Sequence, residues 1–117
     1  MMSVTLYHNP RCSKSRATLA LLEANSVVPE IRLYLEHAPS VEEVTQLLSM
    51  LGMDDARNLM RKGEDIYKLE QLADTKLTQA ELISAMVNHP RLIERPIAIH
   101  QGQARIGRPP ESVLEIL

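Results

Sequence analysis

The chain has 117 residues, 44% of them hydrophobic, and a formal net charge of −2. That length suits one domain with a real core, and the near-neutral charge excludes a general nucleic-acid footprint. Tyr7, Tyr34 and Tyr67 are the only aromatic residues, so an aromatic platform for base stacking is excluded as well. The chain has a single cysteine, so no intrachain disulfide can form. One free thiol and no secretory segment predict a reducing, cytoplasmic setting. No apolar run approaches the roughly 18 residues that a bilayer span needs, so no membrane association is expected.

In chain order, Val4 to Tyr7 predicts a short buried strand, broken by Asn9-Pro10. From Ser15 to about Ala24, the positions Ala17, Ala20, Leu21 and Ala24 follow helical spacing and predict an apolar face. Ile31 to Leu35 alternates and predicts a second strand, giving a βαβ unit with parallel strands. Ser40 and Glu43 form a capping box, followed by Val41, Val44, Leu47, Leu48 and Leu51, with Gly52 as the stop. Asp54 or Asp55 would cap a short helix to about Met60, and a further helical stretch is expected from Asp65 to Leu72. Thr78 and Glu81 repeat the capping box, and Asn88-His89-Pro90 ends that helix. Pro96 to Ile99 and Ala104 to Ile106 predict a hairpin around Gly102. Pro109-Pro110 opens a last helix with Val113, Leu114 and Leu117 on its apolar face. The expected fold class is α/β: one domain with a mixed four-stranded sheet and flanking helices.

The chemistry concentrates on Cys12. It stands where the first strand ends and a helix begins, beside Arg11, Lys14 and Arg16. A helix start offers unpaired N–H groups and a partial positive charge, and nearby cations act in the same sense. Both favour the thiolate, which is the nucleophilic form. The competing reading is a small buried hydrophobe that happens to be sulfur; a ring of bases argues against it. With no second cysteine, any covalent adduct on Cys12 must be resolved by an external thiol. Cys12-Ser13-Lys14-Ser15 is Cys-x-x-Ser, which argues against a two-thiol oxidase. Cys12 to Arg16 is too short for the phosphate cradle of cysteine phosphatases.

Arg61, Arg95 and Arg108 fall where loops meet helices or strands, the last two directly before prolines. A guanidinium binds a tetrahedral oxyanion through two parallel donors and stays charged. If the hairpin packs beside the first strand, Arg95 and Arg108 face the Cys12 loop. His8 could tune the thiol by charge or by hydrogen bonding, or could simply be a polar residue leaving the strand. Composition alone favours a trans bond before Pro96. No His/Cys/Asp cluster has the spacing of metal ligands, so no metal is expected.

The runs Tyr7-His8-Asn9-Pro10-Arg11-Cys12-Ser13-Lys14-Ser15-Arg16, Leu33-Tyr34-Leu35-Glu36, Leu59-Met60-Arg61-Lys62, His89-Pro90, Glu94-Arg95-Pro96-Ile97 and Gly107-Arg108-Pro109 together resemble the glutaredoxin-linked arsenate reductases. The resemblance is to the thioredoxin-like ArsC branch and its short YfgD-like bacterial members, and it covers nearly the whole chain. It implies a thioredoxin-like sheet with an inserted helical segment. It further implies that Cys12 attacks arsenate, that Arg61, Arg95 and Arg108 bind the oxyanion, and that His8 lowers the thiol pKa. The Ser15 hydroxyl would hydrogen-bond the thiolate, and Pro96 would follow a cis bond. Glutathione is implied as co-substrate and glutaredoxin as partner, with no bound cofactor. The bases around Cys12 depart from the plasmid-type branch, which has smaller residues there. Two rival functions are a glutathione-dependent thiol transferase, which needs Cys12 but not the arginines, and an Spx-like regulator that binds RNA polymerase.

Overall fold

The computed structural model describes residues 3–117, which divide into two compact units, residues 3–37 with 95–117, and Ala38–Glu94. The first unit holds the sheet, with strands β1 (Thr5–Tyr7), β2 (Glu30–Arg32), β3 (Ile97–His100) and β4 (Gln103–Ile106) in the order β2-β1-β3-β4. β2 runs parallel to β1, while β3 is antiparallel to both β1 and β4, so the sheet is mixed as expected. The hairpin turn places Gln101 and Gly102 at φ of 52° and 76°, which a flexible turn glycine eases.

Helix α1 (Ser13–Ala24) joins β1 to β2. Its buried residues are Ser15, Thr18 and Leu22, whereas Ala17, Ala20 and Ala24 are exposed. The predicted apolar face is therefore wrong. An alanine exposes one methyl and costs little at the surface, so Leu22 sets the phase of the helix and carries two polar residues inward with it. Val4, Leu6, Leu22, Ala98, Val113 and Ile116 form the core of this unit.

β2 ends at Arg32, and residues Leu33 to His37 turn, with the N–H groups of Glu36 and His37 both donating to the Leu33 carbonyl. Tyr34 is the buried member of this stretch; Ile31 and Leu35 are exposed, contrary to the alternation. Tyr34 stacks on Tyr7 with ring centroids 6.1 Å apart, and the Arg32 guanidinium lies 5.6 Å from the Tyr7 ring centroid. Aromatic packing decides this segment. The C-terminal segment Pro110–Ile116 is a 3-10 helix, so Val113 and Ile116, three apart, share the buried side. The predicted face with Leu117 assumed the α period.

The second unit is helical: α2 (Val41–Leu51), α3 (Asp65–Leu69) and α4 (Gln79–Asn88), with 3-10 turns at Ala56–Leu59 and Pro90–Leu92. Both capping boxes are present, at Ser40/Glu43 and Thr78/Glu81, and Gly52 closes α2 at φ 71°. Asp55 caps the first 3-10 turn by accepting from the Arg57 N–H. Val44, Leu47, Leu48, Leu59, Leu82 and Met86 are buried. An isolated bridge pairs Met60 with Ile93.

Candidate active site

Strand register explains how distant residues reach Cys12. Tyr7 pairs with Ile97, and Ile97 with Ile106, so the exit of β1, the entry of β3 and the exit of β4 share one end of the sheet. His8 to Cys12 leaves from the first, Arg95-Pro96 enters at the second, and Gly107-Arg108 leaves at the third. The Gly107 N–H donates to the Pro96 carbonyl at 2.9 Å, and Arg108 Nε donates to the Arg95 carbonyl at 2.9 Å. Both Arg95-Pro96 and Arg108-Pro109 are cis; the bond before Pro109 carried no signal in the sequence.

Cys12 is the N-cap of α1, half-buried, with extended backbone (φ −95°, ψ 124°). Its N–H donates to the Asn9 carbonyl at 3.0 Å, and its own carbonyl accepts the Arg16 N–H at 3.0 Å. No acidic residue stands in the first turn of α1 to oppose a negative sulfur. Burial pushes the thiol pKa up, but the Ser15 N–H, the Arg95 charge, the Lys14 N–H and an Arg95 hydrogen bond together outweigh it. The net pKa lies below that of an ordinary cysteine. Arg108 adds a longer contact, Nη2 to Sγ at 3.9 Å.

The groups that lower the thiol pKa are thus backbone N–H groups and an arginine 83 residues away in sequence. The neighbouring cations do something else. Arg11, Lys14 and Arg16 are exposed, and the Arg16 side chain donates to the Pro10 carbonyl at 2.9 Å.

His8 is buried, and its Nδ1 lies 2.7 Å from Ser15 Oγ. Burial, helped by the Arg16 charge, pulls its pKa below the ordinary histidine value, so His8 is neutral at pH 7. Its ring meets the Ser15 hydroxyl, which also accepts the Asn9 N–H at 3.0 Å. The Ser15 group that bonds the sulfur is its backbone N–H.

Of the three predicted oxyanion-binding arginines, Arg95 and Arg108 meet Cys12. Arg61 belongs to the helical unit, where its Nη1 pairs with Glu64 at 2.7 Å and its Nε lies 3.9 Å from Glu94. Among the described residues no three His, Cys, Asp or Glu side chains are grouped to hold a metal ion, and no helix is long and apolar enough to cross a membrane. Sequence reasoning gave no role to Thr18, which looks like an ordinary helix residue, or to Gly107, whose want of space shows only once it is packed against Thr18 and Pro96.

Residues 7–116 match the model of the ArsC family. The chain is 57% identical over 97% of its length to the uncharacterized protein YfgD of Escherichia coli strain K12, covering 96% of that protein. It is 53% identical over 99% of its length to a Haemophilus influenzae protein named arsenate reductase, covering all of it. Among solved structures, an arsenate reductase from Vibrio cholerae superposes with a TM-score of 0.97 at 55% identity, covering 99% of this chain and 98% of that one. A Yersinia pestis structure described as a putative arsenate reductase gives 0.94 at 60% identity, covering 97% and 100%. The fold is thioredoxin-like, and the chain belongs to the ArsC family.

Proposed function

We propose that this protein is an arsenate reductase in which Cys12 is the nucleophile. The observation that carries this reading is one half-buried sulfur at the start of α1, with Arg108 Nη2 3.9 Å away and its pKa lowered by the Ser15 N–H, Arg95 and the Lys14 N–H. Donors that hold a thiolate also hold the oxygens of a tetrahedral anion brought to it. The kinship with proteins named arsenate reductase selects arsenate among such anions. Arg61, the third arginine of the family resemblance, pairs with Glu64 and lies near Glu94.

The cycle we propose balances as follows. Cys12 sulfur bonds to arsenic(V) and an arsenate oxygen departs as water. Glutathione sulfur then bonds to arsenic, releasing a second water. A glutaredoxin thiol attacks the glutathione sulfur; the As–S electron pair stays on arsenic, which becomes arsenic(III), and a glutaredoxin–glutathione disulfide results. Water displaces Cys12 from arsenic, freeing arsenite and the thiol. The external thiols are required because the chain has one cysteine.

The direct test is arsenite formation by purified protein with arsenate, glutathione and glutaredoxin. The wild type should produce arsenite above a control without protein, and Cys12→Ser should not. Arsenite at the control level for the wild type would refute the reading.

A further inference from the structure

Thr18 carries a buried hydroxyl that no step above uses. It is fully buried on the inward side of α1, between Ser15 and Leu22. Its Oγ1 donates to the Lys14 carbonyl at 2.9 Å. That carbonyl and the Ser15 N–H are two ends of one planar peptide group. Ser15 is the third residue of α1, before the first intrahelical bond from the Arg16 N–H to the Cys12 carbonyl, so its N–H is one of the open donors of the turn that Cys12 caps, and it lowers the thiol pKa. A hydrogen bond accepted at one end of a peptide polarises the N–H at the other, so the Thr18 hydroxyl strengthens the donor that faces the sulfur.

Thr18 also meets the strand end that carries Arg108. A Cβ built on Gly107 would collide with Thr18 Oγ1, lie 2.8 Å from Pro96 Cγ and 3.2 Å from Thr18 Cγ2. Both neighbours are constrained, one a proline ring and the other a buried side chain already hydrogen-bonded. Gly107 is needed here for want of space, and its N–H is tied to the Pro96 carbonyl.

We propose that Thr18 and Gly107 are paired positioning residues for the nucleophile. Thr18 fixes the 14–15 peptide whose N–H meets the sulfur. Gly107 is the bare backbone at which the Arg108 end of β4 closes onto Thr18 and Pro96. The pair acts on the thiolate itself, so it holds whatever substrate the sulfur meets. An ordinary buried threonine also bonds the carbonyl four residues back, simply to satisfy its hydroxyl. In that case its loss would change stability and leave the sulfur alone.

The experiment is the pH titration of the Cys12 thiolate by ultraviolet absorbance, without arsenate, on the full chain and its variants. Thr18→Val should lower the thiolate-to-thiol ratio at a given pH by about twofold, from a 10–30% weaker charge-assisted bond. Thr18→Ser should retain the wild-type titration. Gly107→Ala keeps the hydroxyl but pushes the strand away, and should lower the ratio by at least as much as Thr18→Val. A folded Thr18→Val that titrates like the wild type would overturn the proposal, as would equal shifts in Thr18→Val and Thr18→Ser. Where Thr18→Val does not fold, Thr18→Ala and Gly107→Ala decide: a wild-type titration in either overturns the role of the residue changed. Because no arsenate is present, failure here is distinct from failure of the arsenate reading.

Discussion

Replacing Arg95 with alanine should change Cys12 reactivity in opposite directions at low and high pH. Arg95 acts on the sulfur by its charge and by a hydrogen bond. A hydrogen bond to a charged group contributes about 1.5–3 kcal/mol. Cys12 is half-buried, so solvent screening favours the lower end. About 1.5 kcal/mol is roughly tenfold in the thiolate-to-thiol ratio. The rate does not follow the ratio in full, because a more basic thiolate is intrinsically the better nucleophile, with a Brønsted slope of about 0.4–0.5. Alkylation by iodoacetamide should then be about threefold slower than wild type at low pH, where thiolate is scarce. Well above both pKa values the variant should be about threefold faster. The two pH–rate curves must cross. Curves that coincide, or that differ by the same factor at every pH, would refute the electrostatic role of Arg95.

Arg108→Ala should lower kcat/KM for arsenate about 10–100-fold, the loss of one charge-assisted contact, in steady-state arsenite assays. His8 is held neutral in the fold, with its pKa below the unfolded value of about 6.5. As pH falls through 6.5 the unfolded chain takes up the proton first, so stability drops until the lower folded pKa is passed. His8→Gln should flatten that part of the wild-type dependence in urea titrations between pH 7 and 5. Gly52→Ala, at φ 71° with open space around it, should cost about 1 kcal/mol from backbone strain alone, seen as a lower urea midpoint with unchanged slope.

Much of this structure was legible because several elements are signalled twice. Ser40/Glu43 and Thr78/Glu81 mark their helix starts by chemistry and by the apolar run that follows, and both capping boxes are present. The hairpin was legible from Gly102 and its flanking strands, and its pairing with β1 follows from three short runs that need partners. The phase of α1 was not legible, since alanines at helical spacing imitate a buried face while contributing little area. The 3-10 character of Pro110–Ile116 was hidden because its residues suit either helix.

The site divides in the same way. Cys12 stands at the strand-to-helix junction read from the sequence, and the two arginines before prolines lie beside it. What holds the sulfur was misread from sequence proximity. Arg11, Lys14 and Arg16 are adjacent along the chain but stay at the surface, whereas Arg95 arrives through the β1–β3 register. His8 was read as tuning the thiol by charge or by hydrogen bonding, or as a polar residue leaving the strand; burial lowers its pKa and its Nδ1 lies 2.7 Å from Ser15 Oγ. Such effects depend on which groups a fold dehydrates, which the order of residues does not state.

The most direct measurement is the pH titration of Cys12 in the wild-type protein, followed by thiolate absorbance. The account predicts a midpoint below that of Cys12 in the same chain unfolded in urea. A midpoint at or above the unfolded value would mean that burial outweighs the Ser15, Lys14 and Arg95 donors, and would contradict it.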